Sequence, residues 1–224
     1  MPIPDTINRI VHDWLRHSSQ LAAAAPVDPF ASFFSEFVAY NALYSEVTKR
    51  LLHRKLISDD RESTGDRAGA TKNVAAFLGH RAIAVALDSH TSDPPNESRY
   101  LEKSIVRQIC LRFYICTQRN GRPRRDEDET LVNQVARGTE CQRVESVLTL
   151  IYKTRCNLFH GGKKRIEDQA NLLLPMRDVI RIVNTLLIAK IEGDPIVPEP
   201  DLDPRQIEIP TFVAVGDADI RDGN

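Results

Sequence analysis

Thr139–Lys163 reads TECQRVESVLTLIYKTRCNLFHGGK. Thr139 and Gln142 stand three apart after Gly138, the spacing of a capping box, so a helix is expected to begin at Glu140. Val144, Val147, Leu148 and Ile151 then recur at three and four residues and define one apolar face. Gly161-Gly162 ends the run, because glycine readily takes the left-handed conformation that closes helices. The last turn of this helix therefore carries Arg155, Asn157 and His160.

The same periodicity extends outward along the chain. Asp28-Pro29 opens a helix to about Leu52 with Phe33, Phe37, Tyr40, Tyr44, Val47 and Leu51 on one face. A shorter helix is expected before it, from about Thr6 to Ala25. After the charged segment 54–66, Val74 to Leu87 repeats with helical spacing, and so does Leu101 to Phe113 up to Asn120-Gly121. Pro175 is expected to open a last helix carrying Met176, Val179, Ile180, Val183, Leu187 and Ile191. No strand-like alternation appears before residue 193. The expected fold is all-α, an up-and-down bundle of about five to six helices over residues 1–192, followed by an irregular, Pro-rich acidic tail over 193–224.

Composition bounds the function. A chain of 224 residues with 42% hydrophobic and 27% charged residues is an ordinary globular protein able to bury a real core. No run approaches the roughly 20 apolar residues of a membrane span, so a soluble, cytoplasmic protein is expected. Cys110, Cys116, Cys141 and Cys156 lack CxxC spacing and lie in helical patterns, which favours reduced core thiols over disulfides or zinc. The histidines have no ligand-spaced partners, so neither metal nor cofactor is assigned. No P-loop, dinucleotide fingerprint or nucleophile elbow is present. The tail from Gly193 carries a net charge of −6, leaving +5 on the rest of a chain whose total is −1. A mildly basic body of this kind admits a polyanionic partner.

Arg155, Asn157 and His160 are a kit for cutting RNA without metal. Transesterification by the 2′-hydroxyl needs a base, an acid for the departing 5′-oxygen, and positive charge on the phosphorane. His160 can serve as acid or base, Arg155 can grip phosphate in a forked geometry, and Asn157 can orient either. Lys153, Lys163, Lys164 and Arg165 are candidates for neighbouring phosphates. Residues five apart lie about 140° round an ideal helix, so one chain holds half a site, and a two-fold dimer would supply the other half. The residues also admit a structural account, with Arg155 in an ion pair, His160 bonding a terminal carbonyl, and the 163–165 charges forming a solvated flank. Arg119, Arg122, Arg124 and Arg125 are read as loop charges neutralised by residues 126–129.

YKTRCNLFHGGK, 152–163, resembles the motif of HEPN domains, closely that of their Apea-like branch, and FVAYNALYS, 37–45, resembles the early helix of the same branch. The resemblance spans most of residues 28–191. It implies a helical, usually dimeric protein in which Arg155 and His160 match the catalytic Arg-x4-6-His pair and Asn157 the polar residue between them. It further implies a metal-independent endoribonuclease leaving a 2′,3′-cyclic phosphate, set in prokaryotic defence or a toxin-like role with a cognate antitoxin or defence partner. The alternative is a non-catalytic helical module that binds RNA, a nucleotide or a partner protein.

Overall fold

The computed structural model describes residues 3–24, 27–90, 99–111, 113–116, 122–159 and 169–193. These residues belong to the unit Met1–Asp194; the acidic tail, like His160, Lys163, Lys164 and Arg165, lies outside them.

The fold is all-α. Its long helices are α1 (Asp5–Ala23), α2 (Pro29–His53), α7 (Tyr100–Leu111), α8 (Arg125–Arg137), α9 (Glu140–Phe159) and α10 (Ala170–Gly193). Between α2 and α7 come α3 (Arg61–Thr64), α4 (Asp66–Ala68), a π-helical turn (Gly69–Asn73), α5 (Val74–Leu78) and α6 (His80–Asp88). No strand occurs among the described residues. Helix α2 packs against α1, α10 and the π turn, while α9 packs against α8, α6 and the same π turn. The π turn thus joins the two helices that carry the family-like motifs. Their apolar faces meet in one core, in which Tyr40, Leu43, Val47, Val144, Val147, Leu148, Ile151, Met176, Val183 and Leu187 are buried.

The helix openings follow the expected chemistry. Asp28 accepts hydrogen bonds from the amides of Phe30 (3.0 Å) and Ala31 (3.1 Å), and Thr139 and Gln142 exchange bonds at 2.9 and 3.3 Å, so α9 begins at Glu140.

Several boundaries differ from expectation, and the helical pieces exceed the five to six expected. The stretch read as one helix, 74–87, breaks at Gly79, whose φ of +90° lies where L side chains rarely go. The charged segment after α2 holds two short helices, each opened by a non-helical residue, Asp60 and Gly65. Helix α7 stops at Leu111, and residues 113–116 run non-helically because the Asp128 carboxylate accepts from the amides of Ile115 (2.9 Å) and Cys116 (2.8 Å). Residues 125–137, to which the sequence reading assigns no helix, form α8; their first-turn acids Asp126, Glu127 and Asp128 suit a helix N-terminus. Pro175 sits inside α10 rather than opening it, the preceding turn being anchored by buried Leu172 and Leu173. All four cysteines are free, but Cys110 and Cys141 are exposed and Cys116 alone is fully buried. Burial first, then its hydrogen bond to Asp128, pushes the Cys116 thiol up to about 12. It is a packing group and not a nucleophile.

Buried charges tie the long helices together. Glu36 on α2, 1% exposed, accepts from Ser18 of α1 (2.9 Å) and from Arg181 (2.9 Å) and Asn184 (3.2 Å) of α10. Arg143 on α9 grips Glu102 of α7 through two bonds of 2.6 Å and reaches Asp88 of α6 at 3.1 Å.

Candidate functional site

The polar row of α9 runs through Gln142, Glu145, Thr149, Tyr152 and Arg155, spaced at three and four residues, so each side chain neighbours the next while the row winds about 140° round the axis from Gln142 to Arg155. At its C-terminal end Arg155 is half-buried. Its guanidinium lies 5.4 Å from the centre of the Phe37 ring on α2 and 3.8 Å from an Asp66 carboxylate oxygen on α4. The aromatic face and the carboxylate together fix the height and direction of the cation.

Asp66 is the focus of the site. Its Oδ2 accepts from the Tyr152 hydroxyl at 3.0 Å, and its Oδ1 accepts from the Tyr44 hydroxyl. Burial first, and then the hydrogen bond and charge of Asp66, push the Tyr44 phenol well above its ordinary range. Tyr152 is raised by burial first, with Cys156 and Asp66 adding to it. Both phenols therefore stay protonated and donate throughout the physiological range. Two hydroxyls from two helices and one guanidinium thus converge on a single anionic group.

Gly69 makes this convergence possible. A Cβ there would stand 3.0 Å from Tyr44 Cδ2 and 3.1 Å from Thr48 Oγ1, tighter than ordinary contact, so glycine lets the π turn lie close on α2, and carry Asp66 to Tyr44, without displacing those side chains. Tyr40, one turn earlier on α2, bonds the carbonyl of the adjacent Ala70. The tyrosines at 40 and 44 are T-stacked with ring centres 5.3 Å apart.

Asn157 donates from Nδ2 to the carbonyl of Ile115, so it anchors the end of α9 to the 113–116 segment that Asp128 also holds. Lys153 points elsewhere: its Nζ is 2.5 Å from Glu127 on α8, a carboxylate that also pairs with Arg124 at 3.0 Å. Arg155, Asn157 and Lys153 thus occupy one helix end but face three different partners. Tyr44, Tyr152 and Asp66 are not among the site residues expected from the sequence; Tyr44 reads there as a core position, Asp66 as loop, and Tyr152 only as the start of the 152–163 motif. Among the described residues no group of three His, Cys, Asp or Glu side chains is placed to hold a metal ion, and no helix is long and apolar enough to cross a membrane.

No protein-family model, no curated protein and no solved structure matches this chain.

Proposed function

We propose that this chain is a HEPN-type endoribonuclease that cleaves RNA without metal, at a composite site formed by two copies of the α9 end in a homodimer. The observation that carries the reading is the pre-set cradle of Arg155, Tyr44 and Tyr152, in which donors from two helices already surround an anionic group. A phosphate diester is an anion of the same hydrogen-bonding character as a carboxylate. With phosphate in place of Asp66, Arg155 would neutralise the charge that grows on the phosphorane. One His160 of the dimer removes the proton from the 2′-hydroxyl, whose oxygen attacks phosphorus. The other gives its proton to the departing 5′-oxygen, leaving a 2′,3′-cyclic phosphate and a 5′-hydroxyl. Asn157 acts as a positioning residue, holding the end of α9. Lys163, Lys164 and Arg165 bind flanking phosphates, and Lys153 joins them once released from Glu127. The biological setting that fits is prokaryotic defence or a toxin-like role, restrained by a cognate antitoxin or defence partner.

The test is cleavage of single-stranded RNA by purified protein in excess EDTA, with His160→Ala beside it. Wild type should cut and His160→Ala should be slower by roughly a thousandfold. Equal cleavage by both would overturn the assignment. The second reading, a binding module, draws on the 3.8 Å approach of Arg155 to Asp66, which a structural ion pair would also produce. Binding without cleavage, by a dimer tested on varied RNAs, would favour it.

Asp66 gives a further expectation. Its charge competes with phosphate for Arg155, and two like charges near 4 Å in water repel by about 1 kcal/mol. Asp66→Asn should tighten RNA binding about fivefold at low salt, measured in the His160→Ala background. Unchanged or weaker binding would show that Asp66 positions Arg155 and does not compete with the substrate.

A further inference from the structure

A cleft of about 440 Å³ opens between the α3–α4–π segment and helices α8 and α9. Its outer wall carries Arg61, Arg67 and Lys72, all exposed, and its inner wall is α9 at Gln142, Ser146 and Thr149, of which Gln142 is exposed while the buried Ser146 and Thr149 hydroxyls donate to Gln134 Oε1 and the Glu145 carbonyl, each at 2.7 Å. Two carboxylates also line it, Glu62 and Glu145, and the second is held by His80 Nε2 at 3.0 Å. Among the described residues Arg61, Arg67 and Lys72 form no close ion pair, unlike Lys153, Arg143 or Arg181, although the charge of Arg67 reaches the Glu127 carboxylate of α8.

The cleft borders the cradle at α4. Asp66, beside Arg155, and Arg67, on the cleft wall, are successive residues, so the cleft and the cradle lie on the two sides of one short helix. Along α9, Thr149 is six residues before Arg155 and Gln142 thirteen. At 1.5 Å per residue the inner wall therefore begins about 9 Å from Arg155 and ends about 20 Å away. A chain with a regular spacing of negative charges, flexible enough to follow a helix face, matches a cleft walled by cations. A duplex, rigid and far wider, cannot bend to follow one helix face in this way.

We propose that this cleft is the binding channel for single-stranded RNA flanking the cleaved phosphate, with Arg61, Arg67 and Lys72 contacting its phosphodiesters and Gln142 meeting its polar edges. The inference rests on the reading of Arg155 as the phosphate-binding group of an RNA-cleaving site, and it assigns that site its preference for unpaired RNA.

The experiment measures binding of a fluorescent single-stranded oligoribonucleotide across a salt series. The proteins are full-length His160→Ala, the same chain with Arg61→Gln, Arg67→Gln and Lys72→Gln, and a control with Arg9→Gln and Arg16→Gln on α1. Losing three phosphate contacts should lower the salt slope by about 2, since each contributes about 0.7 on a single strand, and weaken binding at least tenfold at 50 mM salt. The control should bind as the parent, and a paired RNA of the same sequence should bind all three proteins weakly. Single substitutions at Arg67 and Lys72, each lowering the slope by about 0.7, keep the question answerable if the triple variant folds poorly. Parental affinity and slope in a folded triple variant would overturn the channel while leaving the nuclease intact. Failure of the wild-type protein both to bind and to cut RNA would overturn the nuclease reading and the channel with it.

Discussion

Arg155→Ala is expected to slow RNA cleavage by about a hundred- to a thousandfold, the usual cost of losing one preorganised group that meets transition-state charge. The effect should fall on kcat more than on KM, because the phosphorane carries more charge on its oxygens than the bound diester. Arg155→Lys should recover only part of the rate: lysine restores a positive charge but not the planar fork. The fold should survive. Arg155 loses its contact with the Phe37 ring, about 1 kcal/mol, and an ion pair to an Asp66 side chain that is 50% exposed, which solvent screens to little. A melting temperature within about 4 °C of wild type would confirm that the lost rate is chemical. Wild-type turnover by folded Arg155→Ala would remove the guanidinium from the mechanism.

The largest effect on stability is expected at Glu102, far from the cradle. Its side chain is 1% exposed and accepts from Arg143 twice at 2.6 Å and from Arg99 at 3.2 Å. Removing it leaves the Arg143 guanidinium, itself 11% exposed, with Asp88 as its remaining acid among the described residues. A buried ion pair broken from one side costs about 3–5 kcal/mol. For a chain of this size that corresponds to a fall of about 10 °C in melting temperature for Glu102→Ala. Glu102→Ala combined with Arg143→Leu should cost less than the sum of the two single changes, since the charges it leaves behind, Asp88 and Arg99, are 43% and 29% exposed and reach solvent. A shift under 2 °C for Glu102→Ala alone would show that Arg143 is adequately satisfied by Asp88 and solvent.

The parts of the fold that were legible in the sequence are those whose signals are local. Asp28-Pro29 and the Thr139/Gln142 box declare their helices within four residues, and the aromatic stripe of α2 is regular enough to need no tertiary information. Helix α8 escaped because its apolar content is only Leu131, Val132 and Val135, and because Asp128, which resembles a surface acid, is buried on amides twelve and thirteen residues earlier. The site divides in the same way. Arg155 and Asn157 announce themselves by type and spacing in one helical turn. The cradle does not, because Tyr152 and Asp66 are 86 residues apart and meet only through the close approach of Gly69 to α2. A tyrosine on an apolar stripe looks like core until the partner of its hydroxyl is known.

In the proposed reaction Arg155 and His160 drive attack by the RNA's own 2′-hydroxyl. Identifying the product termini after digestion in excess EDTA tests it most directly. Every new end should be a 2′,3′-cyclic phosphate paired with a 5′-hydroxyl, and His160→Ala should yield neither above background. Products with 5′-phosphates and 3′-hydroxyls, or cleavage appearing only when a divalent metal is restored, would contradict the account.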